Sequence, residues 1–182
     1  TLAAGMTTAT STGVSGFETL SISNTLNTSI TVANTQAGIS NVALQATTNA
    51  GTVVGPAGSL TVSQKVAATG QLTVTDTGTA TTDSVTLTNA SGTTSADVFA
   101  GQNIVSTGYE TVTINTTSGG TAISQDVGTI TITADTSTPA AATSVVFTGS
   151  NVATVGAITA TTINASGLST VGAFNTFVMS AA

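Results

Sequence analysis

The chain has 182 residues and a net charge of −6, yet only 4% of its residues are charged. It has no cysteine and no histidine, which excludes disulfides, thiolate chemistry, Cys/His zinc sites and every histidine-based triad. Lys65 is its one basic residue, so it has no phosphate-binding surface and nucleic acid is excluded as a partner. Nor is any apolar run long enough to span a membrane. Hydrophobic residues make up 40%, but aromatics only 3% and tryptophan is absent. The core must therefore be thin and aliphatic, and threonine, serine, asparagine and glycine must supply the hydration that charge normally provides.

In chain order, residues 1–15 are small and polar and read as a linker or joining strand. Thr1-Leu2-Ala3-Ala4 has neither the basic start nor the apolar run of a secretion leader, which points to a processed or larger polypeptide. A strand is expected over about 16–23. Further short strands should centre on Ser29–Val32, Val42–Leu44, Leu60–Val62, Leu72–Thr75, Val85–Thr88, Val98-Phe99, Val112–Ile114, Ile130–Ile132, Val145–Phe147, Ile158 and Ile163. Turns such as Asn49-Ala50-Gly51 and Ser118-Gly119-Gly120 separate them. Pro56 and Pro139 fall in connections, where a missing N–H costs nothing. No segment combines 3.6-residue periodicity with good helix formers, and threonine's β-branch favours a pleated surface.

The chain is therefore all-β. Within each strand the aliphatics share one face and the hydroxyls the other, as in Val112/Ile114 against Thr111/Thr113. An Ig-like β-sandwich, the alternative, usually carries a buried Trp and a Cys pair, both absent here. A narrow aliphatic core with repeated Thr and Asn outside favours a parallel β-solenoid, β-helix-like, with irregular loops. Two β repeat regions, 16–107 and 108–182, are expected, or one continuous stack.

A repeat supports this division. Gly108-Tyr109-Glu110-Thr111-Val112-Thr113-Ile114 recurs as Gly16-Phe17-Glu18-Thr19-Leu20-Ser21-Ile22, 92 residues earlier (110 − 18), and the two copies hold both glutamates of the chain. The run Thr82-Asp83-Ser84-Val85-Thr86-Leu87-Thr88-Asn89-Ala90-Ser91-Gly92, then Ala96–Gly101, then Thr107–Asn115, resembles bacterial surface-layer proteins and large RTX-type adhesins exported by type I secretion. Thr161–Leu168 is similar to a further segment of that group, with Asn164 where aspartate is usual. The match is loose over 14–170 and best over 82–168. It implies a calcium-stabilised β-solenoid that self-assembles outside the cell. One departure stands out: the calcium-binding nonapeptide of that group is missing, because Gly119-Gly120 lacks the aspartate spacing.

The candidate metal ligands are Glu18, Asp76, Asp83, Asp97, Glu110, Asp126 and Asp135. Calcium takes six to eight oxygens, and turns supply carbonyls beside carboxylates. The plain alternative is that an aspartate in a turn bonds its own backbone. Glutamate has no such turn role, so Glu18 and Glu110 are the sharper candidates for calcium or backbone-amide binding. Four Asn-x-Ser/Thr triplets, at Asn27, Asn89, Asn115 and Asn164, are near chance in so threonine-rich a chain. Lys65 reads as a gatekeeper on an exposed strand.

The functional expectation is a non-enzymatic structural protein, secreted or at the cell surface, that self-associates into a lattice or fibre. Cell-surface polysaccharide is a candidate partner. The alternative is an adhesin segment or filament subunit with a β-sandwich fold and donated-strand assembly through 1–14 or 171–182. A third reading, from the Thr-x-Thr runs, is an ice-binding solenoid.

Overall fold

Aliphatic residues alternate with hydroxyl or small polar ones in segments such as Leu72–Thr75, Ser84–Thr88 and Thr111–Ile114, and these segments form strands. The structure, a computed structural model, describes residues 16–32, 38–92, 96–119, 123–135, 141–169 and 178–179. One sheet contains β1 (Thr19–Ile22), β3 (Asn41–Leu44), β5 (Ser59–Gln64), β7 (Ser84–Asn89), β9 (Thr111–Asn115), β11 (Ser144–Gly149) and β13 (Thr162–Leu168), in that spatial order. The other contains β2 (Ser29–Thr31), β4 (Gly51–Gly55), β6 (Leu72–Asp76), β8 (Gln102–Thr107), β10 (Gln125–Thr133), β12 (Ala153–Thr159) and β14 (Val178–Met179).

Successive strands thus alternate between the two sheets, and each strand pairs in parallel with the one two places on. One odd and one even strand make a coil, and the coils stack. This is a parallel β-solenoid, as the thin core predicted. The parallel pairing also sets the β-sandwich aside, since that fold is built from antiparallel sheets. Both sheets run unbroken across residue 107, through β7–β9 and β6–β8–β10.

The inward positions stack like on like. Leu60, Val85, Val112 and Val145 form one column across β5, β7, β9 and β11, and Val62, Leu87, Ile114 and Phe147 form the next. In the facing sheet Leu72, Ile104, Ile130 and Ile158 are aligned. All of these are essentially without solvent exposure and belong to one core. Each buried aliphatic contributes roughly 1.5–3 kcal/mol, so a stack of such columns suffices without large aromatic rings. Outward positions carry hydroxyls in the same register: Ser59, Ser84, Thr111, Ser144 and Thr162 in one column, Thr61, Thr86 and Thr113 in another.

Three strands, β4, β8 and the short β14, escaped the sequence reading, and one expected strand is absent. β4 begins at Gly51 inside an expected turn. Ala50 takes the turn at φ +55°, and Gly51 is needed because a Cβ there would overlap Leu26. Val98 and Phe99, expected as a strand, are fully buried in the β7–β8 connection instead. Asp97 accepts the N–H of Ala100 at 3.0 Å, and Ala100 and Gly101 both take positive φ, so the chain turns there and β8 starts at Gln102. Residues 1–15, the donor segment 1–14 and Pro139 lie outside the described residues. So does 171–182, apart from the backbone of β14, which pairs with β12.

Candidate metal centre

The solenoid has two kinds of corner. Where an even strand leads into the next odd strand, the residue just before the odd strand is Glu18, Ser40, Gly58, Asp83, Glu110, Thr143 or Thr161 in successive coils. Their main chains form a ladder. The Asp83 carbonyl accepts the N–H groups of Glu110 and Thr111, and the Glu110 carbonyl accepts that of Ser144. Acidic side chains reinforce it. Asp83 Oδ1 accepts the Gly58 N–H at 3.0 Å, and Glu110 Oε2 accepts the Asp83 N–H at 3.1 Å. Glu110 Oε1 accepts the N–H of Asp135, in the next corner, also at 3.1 Å. Asp83 and Glu110 therefore serve the backbone of the neighbouring coil rather than their own turn.

Asp76 ends β6 and does bond its own turn, through Oδ2 to the Gly78 N–H at 2.9 Å. The corner after β6, which holds both Asp76 and Asp83, and the corner after β10, which holds Asp135, stack on either side of the Gly108 corner, so that all three bring a carboxylate oxygen within 4.8 Å of one another. Glycine makes the room. A Cβ on Gly108 would sit 2.9 Å from Asp76 Cβ and 3.2 Å from Asp135 Oδ1, and one on Gly78 would sit 2.8 Å from Asp76 Oδ2. Tyr109 lies fully buried beside this corner, donating its hydroxyl to the Pro56 carbonyl at 3.0 Å. Gly55 gives it space, since a Cβ there would overlap the Tyr109 hydroxyl.

The electrostatics follow from burial. Asp76 is 8% exposed and Asp83 3%. Burial pushes the Asp76 carboxyl up to about 6; the adjoining Asp83 carboxylate pushes the same way against the Gly78 and Thr77 amides. Burial, and then the charges of Asp76 and Asp83, raise the Tyr109 phenol. Three buried oxygens in this corner, Asp76 Oδ1, Asp83 Oδ2 and Asp135 Oδ2, have no hydrogen-bond partner among the described residues. A buried carboxylate oxygen left this way is costly, so the corner suits a proton or a hard cation. The all-oxygen donor set fits calcium.

No family model, curated protein or solved structure matches this chain.

The remaining candidate ligands sit elsewhere. Glu18 is exposed in the first coil, with its carbonyl accepting from Ser40 and Asn41. Asp97 is in an odd-to-even connection, where its Oδ1 accepts the N–H groups of Ala100 and Asp126. Burial raises its carboxyl and those two amides oppose the rise. Asp126 is exposed beside it. Lys65 is exposed at the end of β5, in an odd-to-even connection, whereas the acidic corner is even-to-odd. The acidic corner was legible from the sequence as seven scattered acids, but their convergence was not. Gly78, Gly108 and Tyr109 went unrecognised as its walls, although Gly108 and Tyr109 stood in the repeated motif. The asparagines of three triplets also have structural work: Asn89, Asn115 and Asn164 accept the N–H two residues on, at 2.9, 3.0 and 2.9 Å. That Asn-x-Ser/Thr pattern is here an Asx turn.

Proposed function

We propose that this protein is a non-enzymatic structural element of an extracellular surface layer or filament, self-associating into a lattice or fibre and stabilised by calcium. The observation that carries the reading is the uninterrupted parallel stacking of like coils. In such a stack each coil contacts only its neighbours, and among the described residues the terminal strands β1, β13, β2 and β14 have a paired strand on one side only in their sheets. Backbone at such an edge is a template for a further strand, and copies joined end to end would continue the same hydrogen-bond ladder. Low charge and hydroxyl-lined faces favour lateral packing of stacks without electrostatic repulsion. The resemblance of 82–168 to surface-layer proteins and secreted adhesins points the same way. The hydroxyl faces would also suit cell-surface polysaccharide. An adhesin role remains compatible with this reading, but on a solenoid rather than a sandwich.

The test is electron microscopy and light scattering of the purified full chain, with calcium and after chelation. Ordered fibres or sheets with calcium, dispersing on chelation, are expected. A chain that stays monomeric in both conditions over a wide concentration range would reject the assembly reading.

A second reading, ice binding, draws on the hydroxyl columns of the odd sheet, Ser59–Ser84–Thr111–Ser144–Thr162 and Thr61–Thr86–Thr113, which hold register over several coils. Val146 and Asn164 interrupt the second column beyond Thr113, so the array is short. Thermal hysteresis in cold solution decides it.

A further inference from the structure

The structure assigns a calcium site to the stacked corners after β6 and β10: we infer that Asp76, Asp83 and Asp135 hold one calcium ion, and that Glu110 positions two of them without touching it. This deepens the calcium part of the scaffold reading and rests on it only there. Two independent observations meet at this place. Three carboxylates from stacked corners converge within 4.8 Å, inside the roughly 5 Å that two oxygens on one calcium span at 2.3–2.6 Å each. Separately, each aspartate keeps one buried oxygen without a hydrogen-bond partner among the described residues, and Asp76 and Asp83 are more than nine-tenths buried.

The division of labour among the acids is specific. Asp76 and Asp83 each have one oxygen engaged by a backbone N–H and the other free, the arrangement of a carboxylate held in place to present a single donor atom. Glu110 has both oxygens engaged, by the N–H groups of Asp83 and Asp135. It therefore fixes the backbone of two ligands and offers no free oxygen of its own. Charge argues further for a cation. The chain's one basic residue, Lys65, is exposed in a connection of the other kind, so no side chain of the molecule is available to neutralise three clustered acids. Leaving buried charges unpaired is strongly unfavourable. With no histidine or cysteine anywhere, the donors are all hard oxygens, which selects calcium over zinc or copper. Carboxylate second oxygens and water complete the six to eight ligands calcium takes. An ion here would tie the β6–β7 coil to the β10–β11 coil, across the coil between them.

The experiment uses the full chain, stripped of metal, with terbium as the probe. Tyr109 is the only tyrosine, tryptophan is absent, and Tyr109 adjoins Glu110 beside the site. Tyrosine excitation should therefore give sensitised terbium emission that calcium displaces, and calcium should raise Tm. Asp135→Asn, at the half-buried member of the trio, and Asp83→Asn should each weaken calcium binding at least about tenfold, the lower end of what supporting residues alone cost. Asp97→Asn should leave it unchanged. Circular dichroism of each variant confirms that it is folded. Glu110→Gln separates positioning from ligation. If Glu110 only positions, the variant should still give full sensitised emission at saturating terbium, with lower affinity. No sensitised emission, no calcium displacement or no Tm rise up to roughly 10 mM calcium, above the weakest extracellular sites, overturns the proposal. Equal weakening by Asp97→Asn does so too. Light scattering on the same samples keeps the two readings apart: assembly without terbium emission removes the metal site alone, and emission from a permanent monomer removes the scaffold alone.

Discussion

Glu110 and Asp83 lie 27 residues apart in sequence but adjoin in the stack, where the Glu110 carboxylate accepts the Asp83 main-chain N–H at 3.1 Å. The other Glu110 oxygen holds Asp135 at the same distance, so one buried side chain ties its own corner to the corners on either side. Its sequence twin, Glu18, has the same motif around it and is exposed. The difference is position in the stack: an interior coil has a neighbour above and below, and the first described coil does not.

This yields a matched pair of variants. Glu110→Gln turns one acceptor into an NH2 group facing an N–H donor, and should destabilise the fold by about 1–3 kcal/mol, the usual cost of a buried unsatisfied group. Glu18→Gln, at an exposed site, should stay within about 0.5 kcal/mol of the parent. Urea unfolding of both in calcium-free buffer measures the difference. Equal effects would mean that the carboxylate bridge contributes nothing.

The glycines of the same motif form a second pair. Gly16 and Gly108 have nearly the same backbone, at φ +87° and +84°, but a Cβ on Gly16 meets nothing whereas one on Gly108 meets Asp76 and Asp135. Gly16→Ala should cost only the left-handed strain, about 1–2 kcal/mol. Gly108→Ala should cost that plus the displacement of the acidic corner, and should also abolish terbium emission. Comparable melting temperatures for the two variants would show that the corner yields easily.

Asp76 predicts a pH dependence in calcium-free buffer. Its carboxyl is raised from 3.8 to about 6 in the folded chain, by burial and then by Asp83, so the folded state holds this proton more tightly than the unfolded state does. Stability from this group is present in full below about pH 4 and is lost as the pH rises through 6. The raised Asp97 carboxyl acts in the same direction. Melting temperature should therefore fall between about pH 5 and pH 7.5, and Asp76→Asn should flatten the fall. A parent chain whose Tm instead rises over this interval would contradict the buried, like-charged environment of Asp76.

How much of this was open to a reader of the sequence depends on the range of the interaction. Alternation in Leu72–Thr75 or Val112–Ile114 is local, so strands could be placed, and the absence of tryptophan and cysteine favoured a thin solenoid over a sandwich. β4 and β8 were hidden because each begins at a turn whose shape depends on a distant contact, as Gly51 does on Leu26. Val98 and Phe99 looked like a strand because burial and strand formation leave the same apolar signature. The acidic corner depends on register between coils: Asp76, Asp83 and Asp135 converge only because the connections after β6 and β10, although different in length, bring their carboxylates to one corner of the stack. No local pattern carries that information.

The opposite side of the core gives a last test, through glutamines that no sequence pattern singled out. Gln64 and Gln102 are both buried; Gln64 donates to Gln102 Oε1 at 2.8 Å, and Gln102 donates to the Gly70 carbonyl at 3.1 Å. Thr48 in turn donates to Gln64 Oε1 at 3.2 Å. Buried amides linked in this way are favourable only while each partner is present. Gln102→Leu should therefore destabilise by about 1–3 kcal/mol, because it leaves the Gln64 NH2 and the Gly70 carbonyl unpaired. Adding Gln64→Leu removes one of those orphans, so the double variant should be less destabilised than the sum of the single changes, with a coupling of about 0.5–3 kcal/mol. Strict additivity in urea unfolding would mean that the two side chains do not act as one network, and that the coils are held on this side by their aliphatic columns alone.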